Sequence, residues 1–198
     1  DILNSESNAI SSTARLKFFH IYSSYYYAKG DMENCYLYLE KELALLNKKK
    51  EVREDRLHDY YILYANMLLI SIQIGQYNDF EKKLVELKQE ISSKDFTKNV
   101  TIRYFITSRA FMVELYYNRL TGMFKNGIEL YSAIVRDNPE IISKMSKVEL
   151  YETYSNISQC HFEAENFGEA LNFLNKIFND AEAEQRYGDI SLARLYLL

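Results

Sequence analysis

The apolar positions of this chain fall into long runs at helical spacing, broken at a few short polar points. Four of those points align with one another: "KGDM" at Gly30, "GQYN" at Gly75, "TGMF" at Gly122 and "AENF" at Glu165, which lie 45, 47 and 43 residues apart. A long aromatic-rich run precedes each point, and a second run of about four turns follows it. Such self-similarity at a fixed period marks a repeated supersecondary unit. The pattern predicts four helix–turn–helix units over residues 6–50, 51–93, 96–139 and 140–184, with the start of a fifth over 185–198.

Aligning the units on the turn exposes their shared chemistry. Eleven residues before it stand Phe19, Tyr64, Phe111 and Tyr154, aromatic in every copy. Two residues after it stand Met32, Tyr77, Phe124 and Phe167, and nine after it stand Leu39, Leu84, Tyr131 and Leu174. Five after it stand Cys35, Phe80, Gly127 and Ala170, small in three of the four copies. A small residue lets two helices approach closely, and large ones then fill the space between neighbouring pairs. Asp31 and Asn166 follow the turn as good helix N-caps, whereas Gln76 and Met123 are poor ones. Composition agrees with long helices and short connections. There are one proline, six glycines and no tryptophan, so few residues break a helix. The 18 tyrosines and 11 phenylalanines supply the packing surface.

These positions resemble the tetratricopeptide repeat (TPR). The mid-helix aromatic, the Gly-Asp-aromatic turn, and the small residue followed a turn later by a bulky one all match. "SQCHFEAENFGEALNFLNKIF", Ser158–Phe178, is the nearest copy, and Pro139 falls where such repeats favour proline. The resemblance covers almost the whole chain. Its period is longer than the usual 34 residues, and the small residue of the first helix is Ser23 and Ser158 in two copies but Leu68 and Leu115 in the others. The long, degenerate form looks like the repeats of bacterial TPR regulators and peptide sensors. The resemblance implies an all-α, right-handed α-solenoid of antiparallel helix hairpins, about four plus the start of a fifth. A coiled coil would need sustained heptads with charged flanks instead.

In such a solenoid the first helices line a concave face. The groove positions lie 13, 10, 6 and 3 residues before the turn, one helical stripe. Carried over, they are Lys17, His20, Ser24 and Tyr27; Ile62, Ala65, Leu69 and Ile72; Arg109, Met112, Tyr116 and Arg119; and Glu152, Ser155, Gln159 and Phe162. The second stripe reads more simply as residues buried by neighbouring helices. The others form a candidate peptide-binding groove, with arginines for carboxylates and aromatics for side chains. The Lys–Asn pair with which some TPR proteins clamp a C-terminal carboxylate has no counterpart. Within "YYYAKGDM", consecutive helical residues fan out by about 100°. Tyr26 is therefore expected inside the helix pair, Tyr25 toward the neighbouring unit and Tyr27 in the groove.

Charge and candidate chemistry narrow the function. With 24 basic and 28 acidic residues the net charge is −4, and the one basic cluster, Lys48-Lys49-Lys50, runs straight into a mixed-charge stretch. This reads as a solvated turn, and no nucleic acid is expected to contact it. Cys35 and Cys160 lie far apart inside apolar patterns and read as reduced core residues. His20, His58 and His161 fall on separate helices without metal-ligand spacing, so no metal or cofactor is expected. Cys160 and His161 are adjacent, which points them about 100° apart and spoils a nucleophile–base pair. The glycines form no phosphate loop. The most apolar stretch, Tyr60–Gly75, is interrupted by Asn66, Ser71 and Gln73 and falls short of the roughly 20 residues that span a bilayer.

The expectation is a non-enzymatic, cytoplasmic scaffold that binds a protein or peptide segment. The alternative is a sensory or regulatory TPR segment of a larger bacterial signalling or transcription-regulating protein. The chain opens on Asp1 and ends in "SLARLYLL", where Leu192, Leu195, Tyr196 and Leu198 lack a covering helix. This predicts a longer parent chain, or a homodimer through that apolar end.

Overall fold

A computed structural model of the chain describes residues 9, 11–93, 96 and 100–180, and no strand occurs among them. The helices are α1 (Ser12–Lys29), α2 (Met32–Lys48), α3 (Lys50–Asp55), α4 (Leu57–Gln73), α5 (Tyr77–Ser93), α6 (Val100–Leu120), α7 (Phe124–Asp137), α8 (Pro139–Ser143), α9 (Lys147–Glu163) and α10 (Phe167–Phe178). They divide into two compact units, Asp1–Ile106 and Thr107–Leu198. The expected fifth repeat and the apolar residues of "SLARLYLL" lie outside the described residues.

The four aligned turns share one backbone geometry. Gly30, Gly75, Gly122 and Glu165 all adopt the left-handed conformation, with φ of 74°, 75°, 76° and 64°. In each turn the next residue's amide reaches back five positions. Asp31 N–H donates to the Tyr26 carbonyl at 3.0 Å, Gln76 to Ser71 at 2.8 Å, Met123 to Asn118 at 2.8 Å and Asn166 to His161 at 2.8 Å. This Schellman motif satisfies carbonyls that a helix end would otherwise strand. Glycine suits it because a side chain costs free energy at positive φ. Glu165 adopts the same conformation with a side chain. Asp31 then caps α2, accepting from Asn34 N–H at 3.1 Å, whereas the Asn166 side chain makes no capping bond to α10.

In the first unit α2 packs against both α1 and α4, and α4 packs against α5. Residues at i, i+4, i+7 and i+11 of α2 (Cys35, Leu39, Glu42 and Leu46) are all buried, which is the helical period of a core-facing stripe. One face of α1 builds an aromatic cluster with α2. Tyr26 and Tyr22 stack on Tyr38 with centroids 5.5 and 5.3 Å apart, and Phe18 and Phe19 lie beneath. The α4 helix is buried nearly all round, as its continuous apolar run requires. Its tyrosines keep their hydroxyls satisfied: Tyr61 donates to Glu90 at 2.9 Å and Tyr64 to the Lys83 carbonyl at 3.0 Å. Across α2 and α5, buried Tyr36 donates to Asp79, and Lys83 Nζ donates to the Tyr36 oxygen at 2.7 Å and to Glu40 at 3.1 Å. The basic cluster is the exposed junction of two helices: Lys48 ends α2, Lys49 is the non-helical link and Lys50 opens α3. Lys50–Asp55 forms α3, and Arg53 lies over Tyr60 and 3.7 Å from Glu90.

In the second unit α9 packs against α7 and α10. Gly127 of α7 explains the close approach, since a Cβ there would stand 2.9 Å from Cys160 Sγ and 3.4 Å from Leu115 Cδ1. Phe111, Leu115, Ile157, Cys160 and Phe173 form the core around it. Ser158, the small residue of the nearest TPR-like copy, donates from its buried hydroxyl to the Ala170 carbonyl at 2.9 Å, tying α9 to α10. Pro139 opens the short helix α8, where a missing N–H costs nothing. The large residues two past each turn are not all core. Tyr77 and Phe167 are 41% and 58% exposed, and Phe167 packs its edge on Phe162.

Candidate functional site

The first unit contains a cavity of about 630 Å³ between α1 and α4, floored by α2. Its walls bring together groove positions expected from two separate helices. His20, Ser24 and Tyr27 come from α1, and Ile62 and Leu69 from α4. The stripe explains this, because spacings of three and four keep side chains on one helical face. Lys17 is exposed on the same helix but does not line the cavity, while Ala65 and Ile72 are buried in the core of α4. The reading of the second stripe as simply buried therefore holds for Ala65 and Ile72 and not for Ile62 and Leu69. Tyr27 is 58% exposed. Tyr26 lies on the opposite, aromatic face, and Tyr25 carries the Lys29 ammonium 4.6 Å above its ring.

The floor holds a residue that the sequence reading passed over. Glu42 is only 7% exposed, and its Oε2 has no hydrogen-bond partner. Burial pushes its carboxyl up to about 7, with Arg56 opposing that shift and Asp59 adding to it. His20 Nδ1 stands 3.7 Å from Oε2, within ion-pair range and beyond hydrogen-bond length. Arg56 is engaged with Asp59, donating from Nε and a terminal nitrogen at 3.0 and 2.9 Å. Apolar Leu39, Leu63 and Ile70 and polar Ser23, Asn66 and Gln73 complete the cavity. One carboxylate facing an apolar space, with its own neighbourhood otherwise charge-paired, is chemically suited to receive a donor or a cation. The signal for Glu42 was present in the sequence, since it occupies the apolar stripe Cys35–Leu39–Glu42–Leu46.

The remaining groove positions lie in the second unit, where Arg119 engages two of the others and the rest have partners or exposure of their own. Arg109 makes an ion pair with Glu149 at 3.2 Å. Arg119 donates to Gln159 and stacks over Tyr116, 5.0 Å from the ring centre. Met112 packs against the core, Ser155 is half-buried, and Glu152 and Phe162 are exposed. The two arginines thus link α6 to α9.

The cysteine–histidine neighbours diverge as helical geometry requires. Cys160 is fully buried against Gly127, and burial pushes its thiol up to about 11. His161 stacks on Phe173 at 5.6 Å, and burial lowers its imidazole. His58 packs on Phe105. Among the described residues no group of three His, Cys, Asp or Glu is placed to hold a metal ion. No described helix is long and apolar enough to cross a membrane.

No family model matches the chain, and neither a curated protein nor a solved structure matches it.

Proposed function

We propose that this chain is a TPR-like array of antiparallel helix hairpins whose first two repeats hold a peptide or protein segment in the groove between α1 and α4. One observation carries the reading. His20, Ser24 and Tyr27, which the TPR resemblance assigns to the groove, line one cavity together with Ile62 and Leu69, which stand at the matching positions of the second repeat and were expected to be buried. The four left-handed turns with the same backward hydrogen bond support the repeat itself. A largely preformed, mostly apolar cleft with a few convergent polar groups is the usual form of a binding site. The module acts by complementarity of surface rather than by bond-making chemistry. The second-unit arginines are left out of this groove, since each has partners inside its own unit.

A random peptide library displayed against the whole chain tests this. Enriched peptides are expected to lose binding to Ile62→Arg, which fills the cavity, and to keep it for a substitution at exposed Tyr77. Peptides that bind the Ile62→Arg variant as well as the original chain would place recognition elsewhere.

A further inference from the structure

We propose that the cavity between α1 and α4 receives a basic side chain of the bound peptide, lysine or arginine. Its cationic end pairs with the Glu42 carboxylate, and its stem lies on Leu39, Ile62 and Leu69. This inference rests on the reading of the cavity as a peptide groove.

Three features of the cavity point to a basic side chain. Glu42 is more than nine-tenths buried, lines the cavity, and presents an Oε2 without a hydrogen-bond partner. A buried acceptor left unmade costs free energy that an incoming donor recovers. When Glu42 is ionised, no bonded cation balances it. Arg56 is bonded to Asp59, and the nearest other basic group, His20, stands beyond hydrogen-bond length. The cavity that holds Glu42 also has apolar walls, Leu39, Ile62, Leu63, Leu69 and Ile70, beside its polar groups. A lysine or arginine has an aliphatic stem that buries against such walls while its head seeks an anion. An acidic side chain would meet Glu42 as a like charge, and a purely apolar one would leave the carboxylate unpaired.

The test uses the full chain and four blocked probes: N-acetyl-lysine methylamide, the arginine and norleucine equivalents, and spermidine. Occupancy is read from the methyl signals of Ile62 and Leu69 in NMR titrations. The lysine and arginine amides are expected to bind at least tenfold more tightly than norleucine amide. Glu42→Gln is expected to erase that preference, and so is Glu42→Met, which keeps the length without the polar group. Equal binding of the lysine and norleucine amides, or a preference that survives both variants, would overturn the inference while leaving the groove intact. Spermidine binding tenfold more tightly than either amide would overturn it in favour of a free polyamine. Failure of every probe to reach the Ile62 and Leu69 methyls would remove the groove reading together with the inference.

Discussion

His20 Nδ1 and Glu42 Oε2 face each other across 3.7 Å at the edge of the cavity, an exposed imidazole over a buried carboxylate. Burial makes Glu42 a cost to the fold whenever it is ionised. Its folded value of about 7 lies above the ordinary glutamate value of 4.5, so the folded state binds the proton more tightly than the unfolded state does. Stability contributed through this group is therefore fully present below about pH 4.5 and is lost as pH rises through 7. The titratable groups that line the cavity with it include His20 from α1, Cys35 from α2, and Arg56 and Asp59 at the start of α4. The prediction is that Glu42→Gln matches the original chain at pH 4.5 and exceeds it at pH 8 by up to about 3 kcal/mol. Urea unfolding at the two pH values measures the difference, and a difference independent of pH would refute the assignment.

Gly127 and Cys160 set the spacing of α7 and α9. Alanine at 127 gains about 1 kcal/mol of helix propensity but drives a methyl against Sγ, and overpacking costs about 1–3 kcal/mol. Gly127→Ala is thus expected to destabilise the chain modestly, by about 1 kcal/mol net. In a Cys160→Ala background the methyl has room, and the same change should become neutral or stabilising. The double-mutant cycle reads this coupling directly. Identical effects of Gly127→Ala in both backgrounds would contradict the close approach.

Glu165 holds φ of 64° with a side chain in place. Replacing it by glycine relieves the left-handed strain and is expected to stabilise the chain by roughly 0.5–1 kcal/mol. The reverse change at the equivalent turn, Gly30→Ala, meets no neighbouring atom within 4 Å, so any loss of stability there comes from backbone strain alone. Thermal unfolding of the two variants should shift in opposite directions.

The turns were the most legible part of the sequence because left-handed backbone narrows the choice of residue, and three of the four sites carry glycine. Glu165 was still found, because the alignment around it placed Phe167 and Ala170 in register. Core positions such as Phe111, Phe80 and Ala170 were legible from helical spacing. The residues two past the turn were less so, since an aromatic there can lie on the surface, as Phe167 does. Glu42 was hidden for a chemical reason. In "YLEKELALL" an acidic residue looks solvated, and only its stripe position shows that it points inward. The engagement of Arg109 and Arg119 was illegible because it depends on where α9 places Glu149 and Gln159, 40 residues along the chain in each case.

Arg119 accordingly tests a structural role. Its bond to Gln159 and its place over Tyr116 join α6 to α9. Arg119→Ala is expected to cost about 1–3 kcal/mol in urea unfolding, as loss of a charged hydrogen bond does. Gln159→Ala should cost less, and the double variant should lose less than the two single losses added together. Strict additivity would show that the two side chains do not act together.

Tyr25 and Tyr27 stand on one helix and face different ways, with only Tyr27 lining the cavity. Benzoylphenylalanine placed at each position, followed by irradiation in the presence of a display-selected peptide, measures which face the peptide occupies. Crosslinking is expected from position 27 and little from position 25. Equal yields from both, or a yield from position 25 alone, would contradict a peptide groove between α1 and α4.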